Sequence, residues 1–415
     1  MIILILGLNH APEPVGIGPY TAEMARSLAR AGHEVTVVCG KPYYPFWKVD
    51  AAYAGGGVRT SVEDSVRIVR LPIYVPANPS GQQRLLHHAS FATRAQSTMI
   101  AEARRRRPDV IIGVAPSLIS MTAARVTAKL FKAKLWLHVQ DFEVEAAFAT
   151  GLLNPAGLVG RAARRFEKYS LSADRISTIS PQMCAKLVER GIAADRVIEF
   201  RNWADIDHIR PLETPSPFRE EWGIEQSHVA LYSGNMANKQ GIEIIVEAAR
   251  LLKSRPDLLF AICGSGPHRD RLVAAAAGLT NVRFFDLQPV ARLSGLLGIA
   301  TVHLLPQIAG AADLVLPSKL TNILASGRPV VATAEAGTGL AQEVEGCGVI
   351  TAPGDAAAFA SAITDLIDDP LRCAMLGRSA RTRAEDRWSQ DRILGRFEGQ
   401  LRSLVSHRTA SPEKS

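Results

Sequence analysis

The stretch Asp313-Leu-Val-Leu-Pro-Ser-Lys-Leu-Thr-Asn-Ile-Leu-Ala-Ser-Gly-Arg-Pro-Val-Val-Ala-Thr333 decides how this chain folds. A turn at Leu316-Pro317-Ser318 presents Lys319 in the first turn of a short helix. The helix stops at Gly327, and Pro329 leads directly into the apolar strand Val330-Val-Ala-Thr333. Proline ahead of the helix and glycine behind it fix both ends. The free N–H groups of a helix start carry partial positive charge, and with a lysine beside them they suit an anion. The plainer alternative is an ordinary helix-to-strand connection with a surface lysine.

Apolar strands alternate with helical stretches along the rest of the chain. Residues 2–6, 34–39, 66–71, 110–114, 134–139, 175–179 and 197–200 read as strands. Helical patterns at 20–31, 82–107 and 118–132 separate several of them. A second series follows at 229–233, 258–263, 282–285, 301–305, 330–333 and 348–351. Near-continuous apolar strands separated by helices predict an α/β protein with a doubly wound parallel sheet, built twice. At 415 residues the chain exceeds one ordinary core and suits two domains of about 200 residues each. Residues 203–217, rich in Pro and Asp, read as the linker, giving domains at 1–203 and 204–387. One long helical pattern covers 386–405, and the polar residues 407–415 are expected to fray.

A content of 47% hydrophobic and 21% charged residues is that of a globular protein and excludes disorder beyond the tail. No apolar run reaches the roughly 18 residues that span a bilayer. Residues 2–6 lack a basic flank and read as a buried strand rather than a signal peptide. Cys39, Cys184, Cys263, Cys347 and Cys373 include no C-x-x-C pair and fit a reducing cytoplasm. The net charge of +8 is uneven: residues 1–200 hold 25 Lys+Arg against 16 Asp+Glu, and residues 201–415 hold 23 against 24. The densest run, Arg104-Arg-Arg-Arg107, closes a helix, where cations are favourable anyway. The functional alternative is attraction to the anionic inner face of a membrane. Nucleic acid would suit the charge, but no binding motif accompanies it.

The 313–333 segment, with Pro-Ser-Lys, a short helix and Ala325-Ser-Gly-Arg-Pro-Val330, resembles the donor-binding core of retaining glycosyltransferases of the GT-B fold, family four. These have two facing Rossmann-like domains. The resemblance covers nearly the whole chain and points to the colanic-acid type of exopolysaccharide glycosyltransferase. It implies an N-terminal acceptor domain, a C-terminal nucleotide-sugar domain, and a last helix from about residue 388 to 406 that returns to the N-terminal domain near Trp388.

Site residues follow from the resemblance, position by position. Lys319, Ser318 and the helix start would face the donor diphosphate. The loop Pro12-Glu-Pro-Val-Gly-Ile-Gly-Pro-Tyr20 resembles the N-terminal glycine loop that faces the same group, through Gly16 and Gly18. As a dinucleotide fingerprint this loop fails: it lacks the third glycine, and no acid ends the second strand to hold a ribose. In Tyr232-Ser-Gly234-Asn235-Met-Ala-Asn-Lys239-Gln240-Gly241, Asn235 and Gln240 stand where relatives carry cations, and Lys239 is one residue out of register. Gly264 and Gly266 form a glycine turn, and the loop reaching Val290 matches the nucleobase contact. Two glutamates of relatives are replaced by Leu314 and Asn322, with Asp313 beside the first. Asn322 keeps hydrogen-bonding capacity towards a ribose without a carboxylate's charge. Gln140 and Asp141 occupy a His-Asp position that contacts sugar, Asp141 being the acceptor-orienting candidate; His138 reads as a satisfied core histidine, and Glu143 and Glu145 as surface charges.

The resemblance implies metal-independent transfer from a nucleotide-diphospho-sugar, with guanosine-linked fucose as the donor it suggests, to a lipid-linked glycan. No cofactor is implied. Asp205-Ile-Asp207 spells D-x-D, but it falls in the linker without a third ligand and reads as no metal site. Two other functions stay open: a nucleotide-sugar 2-epimerase of the same fold, and a non-catalytic nucleotide-binding subunit of a polysaccharide assembly.

Overall fold

The computed structural model describes residues 1–14, 16–77, 79–142, 144, 157–236, 240–309, 316 and 318–406. They form two compact units. The first contains Met1–Ile179, Met183–Phe200 and the chain from Leu394; the second contains Ser180–Gln182 and Arg201–Ile393.

The first unit is built on β1 (Ile2–Gly7), β2 (Glu34–Gly40), β3 (Arg59–Glu63), β4 (Val66–Leu71), β5 (Val110–Ala115), β6 (Lys134–Val139), β7 (Arg175–Thr178) and β8 (Val197–Glu199). They lie in the order β3-β4-β2-β1-β5-β6-β7-β8. All pairs are parallel except β3 with β4. The inner strands are buried along nearly their whole length, which is why their sequences are continuous apolar runs instead of alternating ones. β3 is an addition to the strands expected from sequence. Its polar sequence Arg-Thr-Ser-Val-Glu sits on the sheet edge, mostly solvated. It is folded back by a two-residue turn in which Asp64 and Ser65 both take positive φ, the conformation that tight hairpins favour.

The second unit carries β9 (His228–Ser233), β10 (Leu258–Cys263), β11 (Val282–Phe285), β12 (Val302–Leu305), β13 (Val330–Thr333) and β14 (Gly348–Thr351). Their order is β11-β10-β9-β12-β13-β14, wholly parallel. Alternation along β13 shows both faces covered. Val331 packs with Tyr232, Phe359 and Ile363 on one side, while Val330 and Ala332 pack with Leu320, Leu324 and Trp388 on the other. This is the doubly wound sheet expected from sequence, present once in each unit.

The chain end differs from expectation. Residues 386–405 are not one helix: Pro370–Trp388 and Gln390–Ser406 are separate, with Ser389 extended between them. The Trp388 carbonyl accepts from Ala204 N at 3.1 Å, and Ala204 pairs with Ser389 in an isolated bridge. A tertiary hydrogen bond thus replaces the next helical one. Residues of the expected linker are packed too, since Ala204, Ile206 and Ile209 join the second unit's core. From Leu394 the final helix belongs to the first unit. There Phe397 stacks on Phe200, with ring centroids 4.3 Å apart, and meets Trp136 edge-on at 5.0 Å.

Candidate functional site

The site in the second unit forms where three strand ends meet. Gly234 follows β9, Gly264 follows β10, and Asp286 follows β11. Backbone bonds join these loops: Gly234 N donates to Cys263 O at 2.9 Å, Met236 N to Ser265 O at 2.8 Å, and Gly264 N to Phe285 O at 3.0 Å. The approach is close enough to require glycine. Gly264 and Gly266 have φ of 146° and 150°, a region closed to most side chains. A Cβ on Gly266 would lie 2.6 Å from both Asn235 Oδ1 and Met236 N.

Lys319 reaches into this junction from the Ser318–Ala325 helix. Leu320, Ile323 and Leu324 anchor the helix in the core, leaving Lys319 and Asn322 three residues apart on its other face. Gly327, with φ 68°, ends it, and its N–H caps Leu324 O at 3.1 Å. Lys319 Nζ donates to the Tyr232 hydroxyl at 2.7 Å and lies 3.5 Å from Asn235 O. It also stands 4.3 Å from the centre of the Tyr232 ring. The Tyr232 hydroxyl in turn donates to Asn235 O at 2.6 Å. Gly234 leaves room for the lysine stem: with φ 137°, its Cβ would fall 2.6 Å from Lys319 Nζ.

Among the described residues no carboxylate pairs with Lys319. Burial therefore lowers its pKa to about 8, since a partly dry ammonium without a counterion is penalised. Such a group is suited to take an anion. Burial likewise pushes the Tyr232 phenol upwards, keeping it a neutral donor. Tyr232 was missed in the sequence, where it reads as the end of an apolar strand; a phenol two residues before a strand-end glycine was the available signal.

Gly234, Asn235, Gly264, Gly266 and Lys319 are thus brought together. Asn235 takes part through its backbone carbonyl, while the residue itself is exposed. Val290 is 79% exposed at the start of a short turn after β11, near Asp286, whose carbonyl accepts from Cys263 Sγ at 3.1 Å. Gln240 is half-buried beside Gly241. Lys239, Asp313 and Leu314 lie outside the described residues, as do Glu143 and Glu145, and Ser318 is described only as the first residue of its helix. Asp205 and Asp207 serve local roles: Asp205 accepts from His208 N at 3.0 Å, and Asp207 lies 3.8 Å from Arg210. Among the described residues, no three or more His, Cys, Asp or Glu side chains group to hold a metal.

In the first unit, Gly16 has φ 74° and caps the Ile17–Arg30 helix. Gly18 faces Glu13, whose Oε2 would be 3.3 Å from an added Cβ. Glu13 is a second residue missed in the sequence. Its buried carboxylate accepts from Asn9 Nδ2 at 2.8 Å and from Tyr43 N and Tyr44 N, each at 3.0 Å. Burial raises its pKa, opposed by these bonds, and the carboxylate ties the loop after β1 to the loop after β2. At the end of β6, His138 is buried and neutral, its pKa lowered to about 3 by burial. It lies 3.0 Å from Ser177 Oγ, which also accepts from Trp136 Nε1 at 2.8 Å. Gln140 Nε2 lies 3.0 Å from His138 Nε2, so the glutamine extends a buried polar chain. Asp141 is exposed beyond it.

Two strand-end glycine loops with a lysine on a helix start are the kinds of part from which phosphate sites on doubly wound sheets are built. Residues 15–203 match the model of a glycosyl transferase 4-like domain, and residues 216–383 that of glycosyl transferases group 1. The chain is 40% identical over 415 residues to WcaI of Escherichia coli strain K12, named for a glycosyl transferase of colanic acid biosynthesis, covering 97% of this chain and all of that one. Sucrose-phosphate synthase from Thermosynechococcus elongatus superposes with a TM-score of 0.71 at 18% identity, covering 98% of this chain and 99% of that one. Anabaena HepE, solved in complex with UDP, gives 0.67 at 17% identity, covering 97% and 100%. With both family models and the 40% identical relative in agreement, the chain belongs to the group 1 glycosyltransferases and has their GT-B architecture of two parallel-sheet α/β domains.

Proposed function

We propose that this enzyme transfers a sugar from a nucleotide-diphospho-sugar to a lipid-linked oligosaccharide in bacterial cell-surface polysaccharide assembly, with retention at the anomeric carbon. The carrying observation is the Lys319 ammonium, half-buried with only neutral oxygens as its hydrogen-bond acceptors among the described residues. In the transfer the bond between the sugar C1 and the diphosphate oxygen breaks, and negative charge grows on the diphosphate. Lys319 and the N–H groups of its helix stabilise that charge in place. The acceptor hydroxyl forms the new bond to C1 on the same face, and its proton passes to the departing phosphate. Within the second unit Asn322 holds the ribose and the loop at Val290 the base; within the first, the Gly16–Gly18 loop offers backbone N–H groups to a phosphate and Asp141 orients the acceptor sugar.

The identity to WcaI supports a colanic-acid-type polysaccharide, and guanosine-linked fucose is the first donor to test. No described helix is long and apolar enough to cross a membrane; a lipid-linked acceptor instead calls for peripheral contact, which the basic first 200 residues favour. The test is thermal stabilisation by GDP, UDP, ADP, dTDP and their sugars. A ligand at about 100 times its Kd adds about 2.7 kcal/mol. One clear hit, followed by turnover that Lys319→Ala lowers by about 100-fold or more in a folded protein, supports the proposal. No stabilisation by any of them, or full turnover in Lys319→Ala, overturns it.

A further inference from the structure

The Leu158–Ser170 helix is turned inside out. Its buried positions are Gly160, Glu167 and Ser170, with Ala163 beside them half-buried. A helix on a globular surface normally buries its apolar stripe; here that stripe faces solvent. Leu158 is 77% exposed, Val159 67%, Tyr169 46% and Phe166 36%. At helical spacing these four and the exposed Ala162 fall in one arc of about 100°. The neighbouring arc is filled by Arg161, Arg164, Arg165 and Lys168, all exposed. The helix's one acid, Glu167, is buried and bonded to Arg190 at 2.8 Å. The adjacent Leu118–Phe131 helix also leaves Val126 and Leu130 exposed, and its Arg125 guanidinium stands 4.1 Å from the centre of the Tyr169 ring. On the cationic side, Arg164 and Lys168 line a cavity of about 550 Å³ together with Arg190 and Arg196.

We infer that this helix lies in the plane of an anionic lipid surface, with Leu158, Val159, Ala162 and Phe166 among the acyl chains and Arg161, Arg165 and Lys168 at the headgroups. An exposed apolar arc beside a cationic arc is the pattern of interfacial helices, and the positive charge of Arg161, Arg165 and Lys168 selects an anionic lipid over a neutral surface. The inference deepens the membrane contact proposed above and rests on that reading. It moves the contact away from Arg104–Arg107, where Arg105 and Arg106 are already paired with Glu102 and Glu34.

The test is flotation of the full chain with vesicles of phosphatidylcholine alone, or with one quarter phosphatidylglycerol. Wild type should bind the anionic vesicles and lose binding as salt is raised. Arg161→Gln with Arg165→Gln should weaken binding about thirtyfold, from about fivefold per cation. Leu158→Ser with Phe166→Ser should weaken it about tenfold or more. All four residues are solvent-facing, so thermal melting and transfer to a water-soluble acceptor should not change. Wild-type binding retained by both double variants, or lost only in Arg104→Gln with Arg107→Gln, would overturn this placement and leave membrane contact standing. Wild type that ignores anionic vesicles would overturn both. Binding to protein-containing membranes but not to lipid alone would overturn it in favour of a membrane-protein partner.

Discussion

Raising the pH from 7 to 9 should weaken nucleoside diphosphate binding by removing one proton from Lys319. The free site holds the ammonium at a pKa of about 8 because burial opposes its charge. At one unit below that value about nine-tenths of the lysine is charged; at one unit above, about one-tenth is. If the diphosphate takes only the ammonium form, affinity falls about tenfold across this range, or about 1.4 kcal/mol. The ligand contributes little to the slope, because a terminal phosphate with a pKa near about 6 is already ionised. Binding should also draw in close to one proton at pH 9, since the bound anion restores the lysine towards its ordinary value. Calorimetry in two buffers of different ionisation enthalpy measures both quantities. Lys319→Arg, charged throughout the range, should bind with no such slope. Equal affinity of wild type at pH 7 and 9, or the same decline in Lys319→Ala, would refute the assignment of the anion to this lysine.

The same burial makes Lys319 a liability to the empty protein. Its folded pKa is depressed, so the penalty is complete below about 8 and fades between there and about 10.5 as stability rises with pH. Lys319→Met should therefore stabilise the unliganded protein by roughly 1–3 kcal/mol at pH 7 while abolishing transfer, as thermal melting and turnover would show. Gly234→Ala should displace the lysine, because its Cβ would fall 2.6 Å from Nζ at a backbone φ of 137°. Transfer should drop by about 100-fold or more, with a stability loss of about 1–3 kcal/mol. Glu13→Ala leaves Asn9 Nδ2, Tyr43 N and Tyr44 N without their acceptor. A loss of about 3 kcal/mol in denaturant unfolding is expected.

How far the sequence discloses this protein depends on whether a feature is determined by burial or by a distant partner. Strands buried along most of their length have to be largely apolar, so β4, β6, β10 and β13 were legible to the residue, as were the partly buried edge strands β11 and β14, and the repeated sheet followed from them. β3 was not, because an edge strand facing solvent needs no apolar pattern; its residues serve Arg70, whose guanidinium bonds Ser61 Oγ at 2.9 Å and Glu63 Oε1 at 2.7 Å. The break at Ser389 carries no proline or glycine to announce it, since the competing donor, Ala204 N, comes from far along the chain. The site divides in the same way. Lys319 was legible because a turn, a helix start and a helix-ending glycine lie within one short segment. Tyr232 and Glu13 were not, because nothing near them in sequence marks their partners: Lys319 is 87 residues from Tyr232, and Tyr43 is 30 residues from Glu13. Asn235 shows the limit from the other side. Its side chain drew attention as a substitute for a missing cation, yet it is the Asn235 carbonyl that accepts from Tyr232 and faces Lys319. A carbonyl contact leaves no trace in residue type. Substituting that side chain should therefore disturb Lys319 less than the single methyl group of Gly234→Ala.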